Sequence, residues 1–254
     1  ATGGLIPLGS LPGTAGGGGL AIDKTGRYLY AAGLYVNYAE MFSIDQATGA
    51  LTSLGTTTAI GFNPVFVGVH PLNRFVYATS LLDFVTRWVL DPATGVLGSQ
   101  NSSATGADPR SVFFHRTGRF AFMTTQLDST VASYAVNPST GAMSIADSKA
   151  TGNSALYGAI DPTGRFAYVS TSTTPSLSRY TVNSTDGVMT STGSTAITSS
   201  SYMILAEDGG RFLYVPRSNG TVAMYSLDRA TGDLTSIGPA VASGGSPYGI
   251  AVTH

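Results

Sequence analysis

Two turn signals recur along the 254-residue chain with almost the same period. In the first, an Asp, Glu or His is followed four places later by Arg and then an aromatic residue. It reads "DKTGRYLYA" from Asp23, "HPLNRFVYA" from His70, "HRTGRFAFM" from His115, "DPTGRFAYV" from Asp161 and "EDGGRFLYV" from Glu207. The arginines Arg27, Arg74, Arg119, Arg165 and Arg211 are 47, 45, 46 and 46 residues apart. The second signal is a glycine closing "ATG", "STG" or "TDG". It falls at Gly3, Gly49, Gly95, Gly141, Gly187 and Gly232, with spacings of 46, 46, 46, 46 and 45. Two anchors sharing one period in the forties imply a repeat architecture, each copy stacked on its neighbours.

The fourth copy shows what one repeat contains. "YGAID" (157–161), "RFAYVST" (165–171), "LSRYTVN" (177–183) and "VMTSTGS" (188–194) each read as a strand. Period-two alternation, β-branched and aromatic residues, and Gly/Pro/Asn/Asp punctuation carry that reading. In the second strand Phe166 and Tyr168 fall on one face, and Ala167 and Val169 on the other. No segment has helical spacing, so the expected fold is all-β. Four short strands in each repeat of about 46 residues specify a β-propeller blade. A lone four-stranded sheet with two apolar faces must be packed between neighbours, and radial repetition supplies them. The Asp-x-x-Gly-Arg joint (23–27, 70–74, 115–119, 161–165, 207–211) makes the turn between first and second strands. Asp bonds the backbone that follows it and Gly takes the positive φ. The Arg is expected to lay its stem on the adjacent aromatic and bond carbonyls with its fork.

The expected architecture is one propeller domain over residues 1–254, with five full blades plus a split or surplus half blade. Segments 1–23 and 230–254 align, and both hold a fourth strand and the first strand of the next blade. First and fourth strands thus outnumber second and third ones. The chain is then a shortened relative of a larger propeller, a five-bladed ring with a displaced strand, or a protein whose terminal strands are completed by another subunit. Open strand edges are templates for pairing, and a head-to-tail contact that does not close makes filaments.

Composition narrows the partners. Charged residues are 11% of the chain, and lysine occurs only at Lys24 and Lys149. Without a clustered cationic footprint, nucleic acid is excluded as a partner. No apolar run is long enough for a membrane-spanning helix. The absence of cysteine rules out disulfides and thiolate metal sites. An Ala1 start and a Gly/Ser/Thr/Asn-rich, weakly charged surface lead to the expectation of a processed protein that is secreted, periplasmic or on the cell surface.

The pattern "DPTGRFAYV" followed by a strand of the form VxxYxxD, then xxTG and xLxxLG, resembles the lactonase-type propellers. These include bacterial 6-phosphogluconolactonase and relatives with a Tyr-Val-Thr-Asn repeat. The resemblance covers essentially the whole chain and implies lactone hydrolysis; typical members have seven blades, whereas this chain has room for five and part of another. The shared residues are those of the joint, so it assigns no catalytic residue.

His70, His115 and His254 occupy the joint position of Asp23, Asp161 and Glu207, where capping is the expected role rather than metal binding. No metal ligand spacing is present and no cofactor is expected. Subtracting repeated positions leaves Glu40, Asp83, Arg87, Arg110, Asp128, Arg179 and Arg217 as unrepeated charges, and unrepeated loop positions are where function is grafted. Arg110, Tyr157, Tyr202 and Tyr248 fall at the start of the innermost strands, with Phe66. They form a channel mouth suited to a sugar or carboxylate, or packing that narrows the axis. Glu40 with Asp83 or Asp128 is the pairing available for acid–base work. Trp88 is expected between blades, and the loops at 33–40 and 80–88 carry Tyr35, Tyr38 and Phe84 for carbohydrate or protein contact. There is no nucleophile elbow and no phosphate loop.

These residues lead first to an extracytoplasmic scaffold that self-assembles by strand exchange into an oligomer or filament. The second reading is a lactone hydrolase of the 6-phosphogluconolactonase type, and the third a glycan-binding propeller. Arg110, Tyr157, Tyr202, Tyr248, Glu40, Asp83 and Arg87 are the candidate ligand-binding residues.

Overall fold

The computed structural model describes residues 17–33, 36–57, 63–245, 247 and 249–250. Those residues contain no helix and form five antiparallel sheets, each with its strands paired in chain order. Blades 1 to 5 comprise residues 17–56, 64–104, 109–150, 155–196 and 205–242. In blade 5 the outer position is split between Leu234–Ser236 and Val241–Ala242, both paired with Thr221–Leu227. The fourth-copy strands are Ala155–Ile160, Phe166–Thr171, Ser176–Val182 and Met189–Ala196, close to the expected spans. The leftover terminal strands inferred from the sequence fall at 1–16 and 246–254, outside the described residues apart from 247 and 249–250.

Burial follows the radius. Every residue of the second strands Phe75–Ser80, Phe120–Thr125 and Phe166–Thr171 is buried. The outer strands Leu97–Ala104 and Met189–Ala196 are mostly exposed. An inner strand covered on both faces reads as an almost continuous apolar run. Phe166 and Tyr168 pack with Leu213, Val215 and Tyr225 of blade 5. Ala167 and Val169 pack with Phe113, Phe122 and Val131 of blade 3. One strand therefore contributes to two interblade cores, as its alternation requires. Trp88 is buried between blades 1 and 2.

The two sequence signals prove to be halves of one interblade clasp. Asp161 caps its own joint, accepting the Phe166 amide at 2.7 Å and the Thr163 amide at 3.0 Å. The Arg165 guanidinium lies 5.0 Å from the Phe166 ring centroid and donates to the Ala230 carbonyl in the "ATG" turn of blade 5. Two residues beyond Phe166, the Tyr168 hydroxyl donates to the Gly232 carbonyl at 2.8 Å. Arg27 reaches Pro92 O and Tyr30 reaches Gly95 O in the same way. Gly232 has φ +76°, and a Cβ there would sit 2.4 Å from the Phe166 ring. The turn glycine is thus required twice, by its backbone and by the neighbouring blade's aromatic.

The histidines are part of this clasp. His70 Nδ1 accepts the Leu72 amide, and Nε2 donates to the Gly118 carbonyl of the next joint at 2.9 Å. His115 Nδ1 bonds the Thr117 hydroxyl at 2.7 Å. Burial is the main cause that holds both imidazoles below their ordinary 6.5. His254 lies outside the described residues.

Candidate functional site

The end of the blades opposite the joints carries the loops between second and third strands and the connections into each innermost strand. Connection 105–108, which leads into the innermost strand Pro109–Phe114 of blade 3, is clamped from two loops. Asp83 Oδ1 accepts the Asp108 amide at 2.9 Å, and the Asp83 carbonyl accepts the Thr105 amide at 2.9 Å. Asp128 Oδ2 accepts the Ala107 amide at 2.6 Å, and the Gln126 amide donates to the Asp108 carbonyl at 2.9 Å. Asp83 and Asp108 have φ of 59° and 57°. Aspartate tolerates this left-handed region because its short side chain bonds locally, but at a cost of about 1 kcal/mol or more.

What the clamps hold is an ion pair, Arg110 Nη2 to Asp108 Oδ2 at 2.7 Å. Asp108 is buried, and the Arg110 side chain is 27% exposed. Asp108 Oδ1, Arg110 Nε and Gln126 Oε1 are all buried without a hydrogen-bond partner. Gln126 spends its amide nitrogen on Ser154 Oγ at 2.9 Å, and Ser154 also has a positive φ. Each unsatisfied buried polar atom costs about 1–3 kcal/mol, so such atoms are few in native proteins. Three of them, on two residues that pair and a third bonded to their loop, mark a place shaped for something other than stability.

The mouth is narrow here. Phe66 of blade 2 and Tyr157 of blade 4 bring their ring centroids within 6.0 Å, at 53°, although blade 3 lies between them in the ring. Both rings and Arg110 sit within innermost strands, Pro64–Val69, Ala155–Ile160 and Pro109–Phe114, one to two residues from their starts. Tyr157 is held through its amide, which donates to Ser170 Oγ at 3.2 Å.

The other sequence candidates are dispersed. Tyr202 is half-buried in the stretch before the innermost strand Leu205–Ala206 of blade 5. Tyr248 and Tyr35 lie outside the described residues. Glu40 is in the third strand of blade 1, opposite Ala31 and Thr56. Asp83 and Asp128, the acids considered with it, accept backbone amides. Arg217 is buried on blade 5 and bonds the Thr198 and Tyr225 hydroxyls. Arg87 is away from the mouth, between blades 2 and 3, with its guanidinium over the Phe75 ring. Asp108 and Gln126 escaped sequence reasoning. Asp108 sat inside an Asp-Pro dipeptide that reads as a turn; the signal was the Arg two places on, at the mouth of a blade whose counterparts begin Asn63-Pro64 and Ser154-Ala155. Among the described residues no three His, Asp or Glu side chains are grouped to hold a metal, and no helix is long and apolar enough to cross a membrane.

Four-stranded antiparallel blades stacked in chain order around converging innermost strands define a β-propeller. The chain belongs to the family described as lactonase, 7-bladed β-propeller, whose model matches residues 63–248. Among solved structures it is similar to a Bacteroides fragilis protein whose assignment as a 6-phosphogluconolactonase is provisional (17% identity, TM-score 0.70, 97% of this chain and 89% of that one). It is also similar to the Pseudomonas aeruginosa periplasmic gluconolactonase (19% identity, TM-score 0.74, 90% and 70%). A Lactobacillus plantarum protein matches at 22% identity and TM-score 0.79 over 89% and 71%. No curated protein matches the chain.

The family match bears out the resemblance read from the joints and overturns the scaffold reading. A self-assembling scaffold was inferred from surplus terminal strands, and those fall almost wholly outside the described residues. Membership of a lactonase family favours the second reading instead.

Proposed function

We propose that the protein is a lactone hydrolase that opens a lactone ring at the mouth formed by Asp108, Arg110 and Gln126. The observation that carries this reading is the clamped ion pair with buried, unsatisfied atoms on both partners, in a chain of a lactonase family. Strained, incompletely satisfied groups persist where function requires them. In this reading connection 105–108 yields to admit the substrate, which then satisfies the buried atoms that the protein leaves unpaired. As a water oxygen adds to the lactone carbonyl carbon, its proton passes to Asp108 Oδ1. The oxyanion that forms is met by the Arg110 guanidinium, an electrostatic device aimed at developing charge. Collapse breaks the bond between that carbon and the ring oxygen. The ring oxygen takes the proton from Asp108 and leaves as the hydroxyl of a hydroxy acid. Phe66 and Tyr157 supply an apolar wall that keeps bulk water from the reacting carbon.

A neutral aldonolactone fits this mouth better than a phosphorylated one. Among the described residues, the cation placed with Asp108 is Arg110, and its charge is already matched. A periplasmic gluconolactonase among the similar structures and the weakly charged composition support an extracytoplasmic setting. The test is titrimetric assay of glucono-1,5-lactone opening. Asp108→Asn and Arg110→Gln are each expected to lower kcat/KM by about 10²–10⁴-fold, the usual worth of a positioned base or oxyanion donor. Wild-type rates in both variants would reject the site.

A further inference from the structure

Blades 2 and 4 carry the same side chain at the same place but resolve its charge differently. Arg179 of blade 4 stands opposite Tyr168, and Arg87 of blade 2 stands opposite Tyr77. Arg179 bonds the Thr192 hydroxyl and carbonyl at 2.8 Å and 2.9 Å and forms an ion pair with Asp233. Asp233 directly follows Gly232, the turn glycine of blade 5. The residue that directly follows Gly141, the turn glycine of blade 3, is Ala142. Where blade 5 offers a carboxylate to Arg179, blade 3 offers Arg87 a methyl group.

A cavity of about 370 Å³ occupies that place. Its lining includes Arg87, Asn101 and Ser103 on blade 2 and Gly141, Ala142 and Met143 on blade 3. Arg87 spends one nitrogen on the Thr140 carbonyl, and no carboxylate pairs with it among the described residues. The volume lies within the range of small-molecule sites. The lining divides by chemistry into a guanidinium for an anion, an amide and a hydroxyl for hydroxyl groups, and an apolar side.

We propose that the groove between blades 2 and 3 binds a small hydroxycarboxylate, with the ligand carboxylate taking at Arg87 the place that Asp233 takes at Arg179. The site is separate from the mouth, because its blade 2 wall of Arg87, Asn101 and Ser103 lies on the third and fourth strands, towards the outside of the blade, whereas connection 105–108 leads into an innermost strand. It goes beyond the proposed hydrolysis and does not depend on it. Guanidinium–carboxylate pairing gives the site its charge selectivity. Asn101 and Ser103 would favour a polyhydroxy chain over a bare alkyl one.

The test is calorimetric titration of the intact chain with sodium gluconate, with glucitol as the uncharged analogue of the same size. Saturable gluconate binding without glucitol binding is expected. Ala142→Asp, which copies the blade 5 arrangement, is expected to weaken gluconate binding at least tenfold and to raise Tm, so lost binding cannot be assigned to misfolding. Asp108→Asn is expected to leave gluconate binding unchanged. Equal affinity for glucitol, undiminished binding in Ala142→Asp, or loss of binding in Asp108→Asn would each overturn the proposal, as would absence of saturable binding in the wild type. Lactone turnover in Ala142→Asp should match the wild type, so failure of the groove and failure of the mouth are read separately.

Discussion

The two ends of the blades obey opposite rules. At the joint end the polar groups repeat: Asp23 and Asp161 cap, Arg27 and Arg165 clasp, Tyr30 and Tyr168 tie down the next turn, and the one buried joint atom left without a partner among the described residues is His115 Nε2. At the mouth end the groups do not repeat, and some are left with nothing to bond, as at Asp108, Arg110 and Gln126. Periodic, satisfied chemistry is what stacking needs from every blade. Aperiodic, unsatisfied chemistry costs stability, so its retention points to function.

The sharpest way to break this contrast is by activity. Exchanging Asp108 for Asn should remove most lactone opening, whereas His70→Asn, which alters a joint, should leave turnover near wild type. A variant pattern with the two reversed, read in the same assay, would put the chemistry at the joints.

Backbone strain separates the ends on a stability scale. Gly232→Ala adds a Cβ to a positive-φ turn and drives it to 2.4 Å from Phe166, so both penalties apply. Gly152, on the connection into blade 4, has φ +96° but nothing within 4 Å of the new Cβ. Thermal unfolding should fall by 10 °C or more for Gly232→Ala. For Gly152→Ala the loss should be nearer the ~2–4 °C of a 1 kcal/mol change in a chain this long.

Positioning gives an intermediate effect. Asp83→Ala frees the Asp108 amide and leaves the ion pair on a looser connection. A roughly tenfold loss of kcat with little change in KM is expected, and Asp83→Asn should rescue part of it. Loss of Tm without the split between kcat and KM would reduce Asp83 to a structural cap.

The smallest effect is in pH. Burial, together with nearby cationic side chains, keeps His70 and His115 below 6.5 when folded. The unfolded chain therefore takes up more protons than the folded one as pH drops through 6.5, so stability declines from there and levels off below the folded values. Asp23 acts in a lower window. Its burial would raise the carboxyl, but bonds from Thr25, Tyr28 and Asn73 outweigh burial and hold it below 3.8. Its contribution is present above 3.8 and is lost as pH falls through that lowered value. Tm of His70→Asn should lose part of the decline below pH 6.5 and keep the acid limb.

The joints were legible in the sequence because five copies impose the same local geometry. Turn chemistry at Asp161 and Gly164 and alternation at Phe166–Val169 sufficed to place strands within a residue or two. That Arg165 and Gly232 belong to one clasp was not legible, since their meeting depends on how one blade is rotated against the next. The mouth was half legible: Arg110, Tyr157 and Phe66 were singled out by irregularity. Asp108 was hidden by its Pro, because a turn-forming Asp and a strained Asp holding an Arg look alike until the partner is placed in space. Asp83 and Asp128 were picked as unrepeated acids, but no spacing rule reveals that both reach over to connection 105–108.

The central claim is that the mouth gives up stability to hold Asp108 and Arg110 unsatisfied. Its most direct test measures thermal unfolding and glucono-1,5-lactone opening on one preparation of the double variant Asp108→Asn/Arg110→Leu. The account predicts a Tm equal to or above wild type with lactone opening reduced at least a hundredfold. A lowered Tm together with undiminished opening would contradict it.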